Sequence, residues 1–146
     1  MTQTSLDNIL DVTLDDLADM PSIELFPNGA HKVSLEFVID PVKVSVRMDM
    51  TYLECVELAD PTSKAPAAGD KNSVFFNLKK KDGEPNQYAQ GSLKVILQAL
   101  APTFGGSNTT EICANSKGAE VVALTKIQVG KGDYRDAITV PKIQVV

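Results

Sequence analysis

Tryptophan is absent from this 146-residue chain, histidine occurs once, cysteine twice, and aromatic residues make up only 5%. Each scarcity removes a class of function. Cys55 and Cys113 lie far apart without metal-ligand spacing, so both read as buried thiols of a reduced compartment, the cytoplasm. His31 has no cysteine or histidine company, which argues against a histidine-based zinc site. It reads as a partly exposed structural residue at the start of a strand, and no metal or cofactor is expected. No apolar run approaches the roughly 20 residues that span a bilayer, so no membrane partner is expected. The N-terminus lacks the basic flank and apolar stretch of a secretion signal. Hydrophobic residues at 43% and charged residues at 23% exclude wholesale disorder. The length fits one domain, or one domain with a tail.

Net charge is −5, which at first argues against a nucleic-acid partner. Its distribution changes that reading. Asp7, Asp11, Asp15, Asp16, Asp19 and Glu24 precede residue 29, and no Lys or Arg accompanies them. The first 28 residues therefore carry −6, leaving 14 cations against 13 acids, or +1, for residues 29–146. An acidic leader is attached to a neutral, slightly basic body.

Catalytic constellations are thin. A Ser-His-Asp triad would need His31, yet no Gly-x-Ser-x-Gly elbow occurs. Val129-Gly130-Lys131-Gly132-Asp133 lacks the glycine spacing and following Ser/Thr of a phosphate loop, and reads as a hairpin turn. No carboxylate pair stands in a recognisable motif. The chain is read as non-catalytic, with a small enzyme as the least favoured class.

The leader, residues 1–28, holds two short amphipathic patches, Leu6, Ile9 and Leu10 after Ser5, and Leu14 and Leu17 after Thr13. Thr13 and Asp16 have the spacing of a weak capping pair, and Pro21 ends the pattern. Turns this short are not stable alone. Leucines interleaved with aspartates point to a segment that docks on a protein groove or another subunit. The other readings are a solubilising arm, or an arm that lies over the body's basic face.

After the turn at Phe26-Pro27-Asn28-Gly29, alternation runs through Val33, Leu35, Phe37 and Ile39, breaks at Asp40-Pro41, and resumes through Val42, Val44, Val46, Met48 and Met50. The phase is lost over Tyr52–Val56, the signature of a bulge or of coiling as a sheet closes. A turn-rich loop follows over 59–72, then a third strand through Val74, Phe76 and Leu78 that ends in a basic turn. Leu93, Ile96, Leu97 and Leu100 have helical spacing, with Ser92 as the expected N-cap and Pro102 as the stop. Two further strands are expected over 119–129 and 134–146, and Pro141 marks an edge or a bulge.

The order β-β-β-α-β-β, mainly β with one helix, fits a five-stranded OB-like barrel over residues 29–146. A β-sandwich with one helix is the alternative. From about residue 25 the chain resembles small phage-encoded single-stranded DNA-binding proteins with OB-like folds. The resemblance rests on the Phe26-Pro27-x-Gly29 turn into a long strand, on Gly91-x-Leu93-Lys94 at the helix start, and on closing strands that carry Lys126, Tyr134 and Arg135. It implies cooperative coating of single-stranded DNA during phage DNA replication or recombination, in the host cell cytoplasm and without catalysis. Relatives of that kind often carry an acidic partner-binding segment at the C-terminus. Here the acidic segment is N-terminal.

Single-strand binding needs cations that follow phosphates and flat side chains on which bases stack. By strand phase, Lys43 and Arg47 share the polar side of the second strand, and one of Phe75 and Phe76 must point away from the core. Lys79, Lys80 and Lys81 extend the third strand into a loop, and Lys126 and Arg135 lie on the closing pair. Phe75, Tyr52 and Tyr134 are the expected stacking residues, with Tyr88 a further aromatic candidate. Each has an ordinary alternative as a solvated or core residue. Partner contacts fall to Leu6, Ile9, Leu10, Leu14 and Leu17, toward a replication or recombination protein, and the apolar C-terminal strand favours a homo-oligomer. The rival reading is a protein-interaction module, either a phage structural component or an inhibitor of a host protein.

Overall fold

The computed structural model describes residues 24–130, 132 and 136–146. Five antiparallel strands form one sheet: β1 (Gly29–Asp40), β2 (Ser45–Leu58), β3 (Lys71–Asn77), β4 (Glu120–Gln128) and β5 (Ala137–Val145). Between β3 and β4 lie two helices, α1 (Gln87–Phe104) and α2 (Thr109–Asn115). Strand order across the sheet is β3-β2-β1-β4-β5. β1 pairs with β2 along its whole length and, over Gly29–Ser34, with β4 on its other edge. That double pairing makes β1 the strand about which the sheet bends.

The lost alternation after Met50 is a pair of bulges. Ala30 faces Glu57 and His31 faces Cys55, so Val56 is extra; Lys32 faces Glu54 and Val33 faces Tyr52, so Leu53 is extra. Two inserted residues on one strand increase its local twist and curl β2 around β1. On the far side Leu124 faces Lys142 and Lys126 faces Thr139, which places a third irregularity at Pro141. β5 is both an edge strand and bulged there, and the proline has no N–H to lose from the ladder.

Val33, Leu35, Val46, Met48, Met50, Val74, Phe76, Val121 and Ala123 line the inner face and are buried. Ala89, Leu93, Ile96, Leu97 and Leu100 of α1 close the core, and the helix packs on β5 and β3. It is longer than the leucine spacing implies. Asn86, not Ser92, is the N-cap, its side chain accepting from Ala89 N. Pro102 does not stop the helix but sits in its last turn, where only one carbonyl loses a partner, and Gly105 N closes on Ala101 O. α2 was not expected because seven residues give too little periodicity to see. Its signal is local: Asn108 Oδ1 accepts from Glu111 N, and Glu111 Oε2 accepts from Ser107 N.

β2 starts three residues later than the alternation suggests. Val42 and Val44 belong to the hairpin tip and are exposed, because Asp40 Oδ1 accepts from Val42 N and Lys43 N and folds the chain into a turn. Cys113 is buried as expected, whereas Cys55 is only half-buried. The packed domain also begins before residue 29. Phe26 is fully buried, its N–H donates to Asn72 Oδ1, and Asn72 Nδ2 donates to Glu24 O.

His31 is buried, not partly exposed. Its Nε2 lies 2.7 Å from Pro27 O and its Nδ1 lies 2.8 Å from Tyr52 Oη. A carbonyl only accepts, so Nε2 carries the proton and the tyrosine hydroxyl donates to Nδ1. Thr125 Oγ1 donates to the same Pro27 carbonyl at 2.7 Å, and Phe26 packs edge-on against Tyr52. These contacts tie the start of the domain to β1, β2 and β4. Tyr52, expected as a stacking residue, is 2% exposed. Burial raises its hydroxyl pKa, with Cys55 adding to the effect. This corrects the expectation: Tyr52 is a core residue whose polar tip is satisfied internally.

Two measurable consequences follow from this packing. A Cβ at Gly29 would collide with the Glu57 carbonyl across the β1–β2 pair. Gly29→Ala is therefore expected to lower the free energy of unfolding in urea by about 1–3 kcal/mol. Burial pushes the Cys113 thiol up to about 11 from 9.0. Above about pH 9 the unfolded chain ionises this thiol while the folded chain does not, so stability falls as pH rises toward 11. Cys113→Ala should flatten that decline by about 2 kcal/mol between pH 8 and pH 11.

Candidate nucleic-acid interface

The outer face of β2 and β3 is built by alternation. Met48 and Val74 point inward, so their neighbours Arg47 and Phe75 point out, and the two are direct cross-strand partners. Val38 of β1 faces Arg47 from the other side, giving a row Val38–Arg47–Phe75 across three strands. Phe75 is 65% exposed and Phe76 is buried, as the adjacent pair requires. The Phe75 ring is open to solvent and adjoins the half-exposed Val38–Arg47 row.

Arg47 is not a free cation. Its Nε donates to Asp49 Oδ1 at 2.9 Å and its Nη2 to Oδ2 at 3.1 Å, while Ser73 Oγ donates to Asp49 Oδ1 at 2.6 Å. The bidentate pair fixes the orientation of the guanidinium and cancels its net charge locally. A planar group so held still offers a stacking surface.

The lysines cluster at one end. The β1–β2 tip carries Lys43, and Leu78 N donates to Val44 O at 3.0 Å, seating the end of β3 against that tip. The chain then turns through Lys79–Glu84, closed by Lys80 N to Glu84 O at 2.8 Å, Gly83 N to Lys80 O at 3.0 Å, and a bridge between Lys79 and Pro85. Lys43, Lys79, Lys80 and Lys81 are exposed. Among the described residues none of the four has a carboxylate within 4.0 Å.

Six of the ten expected contact residues thus share one region: Lys43, Arg47, Phe75, Lys79, Lys80 and Lys81. Lys126 is exposed but sits beside the start of β1, in a shallow depression with Gly29, Glu57 and Pro141, at the opposite end from the tip. Tyr134 and Arg135 lie outside the described residues, as do Leu6, Ile9, Leu10, Leu14 and Leu17.

A long groove adjoins the site where β3 and β5 approach without pairing. Its walls are Lys71–Asn77 and Ala137–Pro141, and residues of α1, Tyr88 and Val95 among them, also line it. Its volume is about 1930 Å³. Tyr88 is 86% exposed and shares the groove with Phe75. Unlike Tyr52, it presents an open ring to solvent. The missed signal was Asn86: once that residue is the cap, Tyr88 falls in the first helical turn and points outward.

Among the described residues no cluster of three or more His, Cys, Asp or Glu side chains could hold a metal ion, and no helix is long and apolar enough to cross a membrane. No protein-family model matches this chain, and no curated protein is detectably similar to it.

The tip itself is strained. Val44 has φ +52°, a left-handed conformation that is costly for a β-branched residue. Because Val44 is substantially exposed, little packing is lost on replacement. Val44→Asn should raise the melting temperature, corresponding to a gain of about 0.5–1 kcal/mol.

Proposed function

We propose that this protein binds single-stranded DNA without sequence preference and without catalysis. The observation that carries the reading is the exposed Phe75 beside the ion-paired Arg47, at the foot of two loops that present Lys43, Lys79, Lys80 and Lys81. An open aromatic beside a cluster of phosphate-reaching cations is what sequence-tolerant strand binding requires. The strand order supports it. An OB barrel uses the outer face of strands 2 and 3 and the loop between strands 1 and 2 for oligonucleotides, and Phe75, Arg47 and Lys43 lie on those elements. β3 and β5, the two ends of the sheet, also approach each other as barrel closure would require.

The resemblance to phage strand-coating proteins extends the proposal to DNA replication or recombination, in the host cytoplasm and as a homo-oligomer. One observation favours the rival reading, a protein-interaction module. Val38, Ile39, Val42 and Val44 are all exposed around the tip, with Val42 90% open, and apolar surface of this kind also suits a protein partner.

Titration of a fluorescent oligo-dT at increasing salt separates the two. Strand binding predicts submicromolar affinity at low salt, falling linearly with log salt, and a slope that shrinks by about 0.7 for each of Lys79, Lys80 or Lys81 changed to Gln if that lysine holds a phosphate. Phe75→Ala and Tyr88→Ala should each weaken binding roughly 5- to 150-fold. Absence of binding at low salt would leave the protein-interaction module as the reading.

A further inference from the structure

The seam between β3 and β5 is an open groove with an unusual entrance. β3 pairs with β2 and β5 with β4, and among the described residues neither strand has a partner on the side facing the other. The space between them is lined by Phe75, Tyr88 and Val95, all exposed. Two unpaired strand edges flanking open aromatic and aliphatic side chains form a slot for a chain segment.

The described chain starts inside that slot. Glu24 and Leu25 both line it. They are fastened there by Asn72, a 4% exposed side chain of β3 that accepts from Phe26 N at 2.9 Å and donates to Glu24 O at 3.1 Å. Asn72 does for this segment what a neighbouring strand's backbone would do. Twenty-three residues precede Glu24, and they are delivered to the slot covalently, at high effective concentration.

Their sequence suits it. Leu6, Leu10, Leu14 and Leu17 recur every three or four positions, with Asp7, Asp11, Asp15 and Asp16 between them and Asp19 just after. Such a pattern separates an apolar side from an acidic one. We propose that the β3–β5 seam is the docking site of the chain's own residues 5–19, which enter past Asn72 and seat their leucines against Phe75, Tyr88 and Val95 with the aspartates left at the rim. A second copy or a different protein would be a competing occupant; continuity of the chain into the slot favours the cis segment.

Hydrogen–deuterium exchange on the full-length protein, without DNA, tests the proposal independently of strand binding. Leu10→Asp with Leu14→Asp should speed exchange in peptides covering 71–77 and 137–141 at least tenfold, and leave β1 and β2 unchanged. Val95→Asp, at an exposed position of α1, should speed exchange in residues 5–19 in the same way. Equal exchange in the wild type and both variants would overturn the proposal. Protection of the seam that appears only as protein concentration rises, with a matching shift in sedimentation, would overturn it in favour of a second copy.

Discussion

β1 hydrogen-bonds to β2 with one edge and, over its first half, to β4 with the other, and the remaining architecture follows from that sharing. A strand held on both edges cannot slide, so the bulges at Leu53 and Val56 bend the sheet rather than shift its register. Bending brings β3 and β5 toward one another, and α1 packs on both. The His31–Tyr52 pair and the Pro27 carbonyl lock the point where β1, β2 and β4 converge. With both ring nitrogens of His31 satisfied, this buried polar group ties the three strands together instead of straining them.

Charge is organised at two scales. Along the chain, the −6 of the first 28 residues is separated from a body of +1. On the surface, Asp49 neutralises Arg47 while Asp40 turns its carboxylate to backbone N–H groups of the tip. Around the tip, Lys43, Lys79, Lys80 and Lys81 are left without a carboxylate partner among the described residues. A body with so small a net charge depends on where its cations are grouped, and the seating of Leu78 against Val44 does the grouping.

Much of the fold was legible because alternation survives in any half-buried strand. Val33 and Leu35 of β1, Val46 to Met50 of β2, the bulge region after it, the Phe75–Phe76 pair and the leucines of α1 could be assigned from spacing alone. Errors fell where a single side chain overrides a pattern. Asp40 folds Val42 and Val44 out of β2, Asn86 starts the helix early, and a seven-residue α2 has no period to detect. Of the candidate site, the lysines and Phe75 could be named from the sequence, whereas Tyr52, expected as an open ring, is buried. Position along a strand does not reveal that Tyr52 meets a buried histidine, or that Tyr88 opens onto a groove.

By itself, the sequence determined a mainly β domain, an acidic leader, a hydrophobic inner face and a short list of cations and aromatics, because composition and periodicity are properties of neighbouring residues. The tertiary structure decided which of those cations stand together, which aromatic is spent in the core and where two sheet edges leave a seam. Those facts depend on contacts between residues such as His31 and Tyr52, Val44 and Leu78, or Glu24 and Asn72. Only a folded chain brings such pairs within hydrogen-bonding distance.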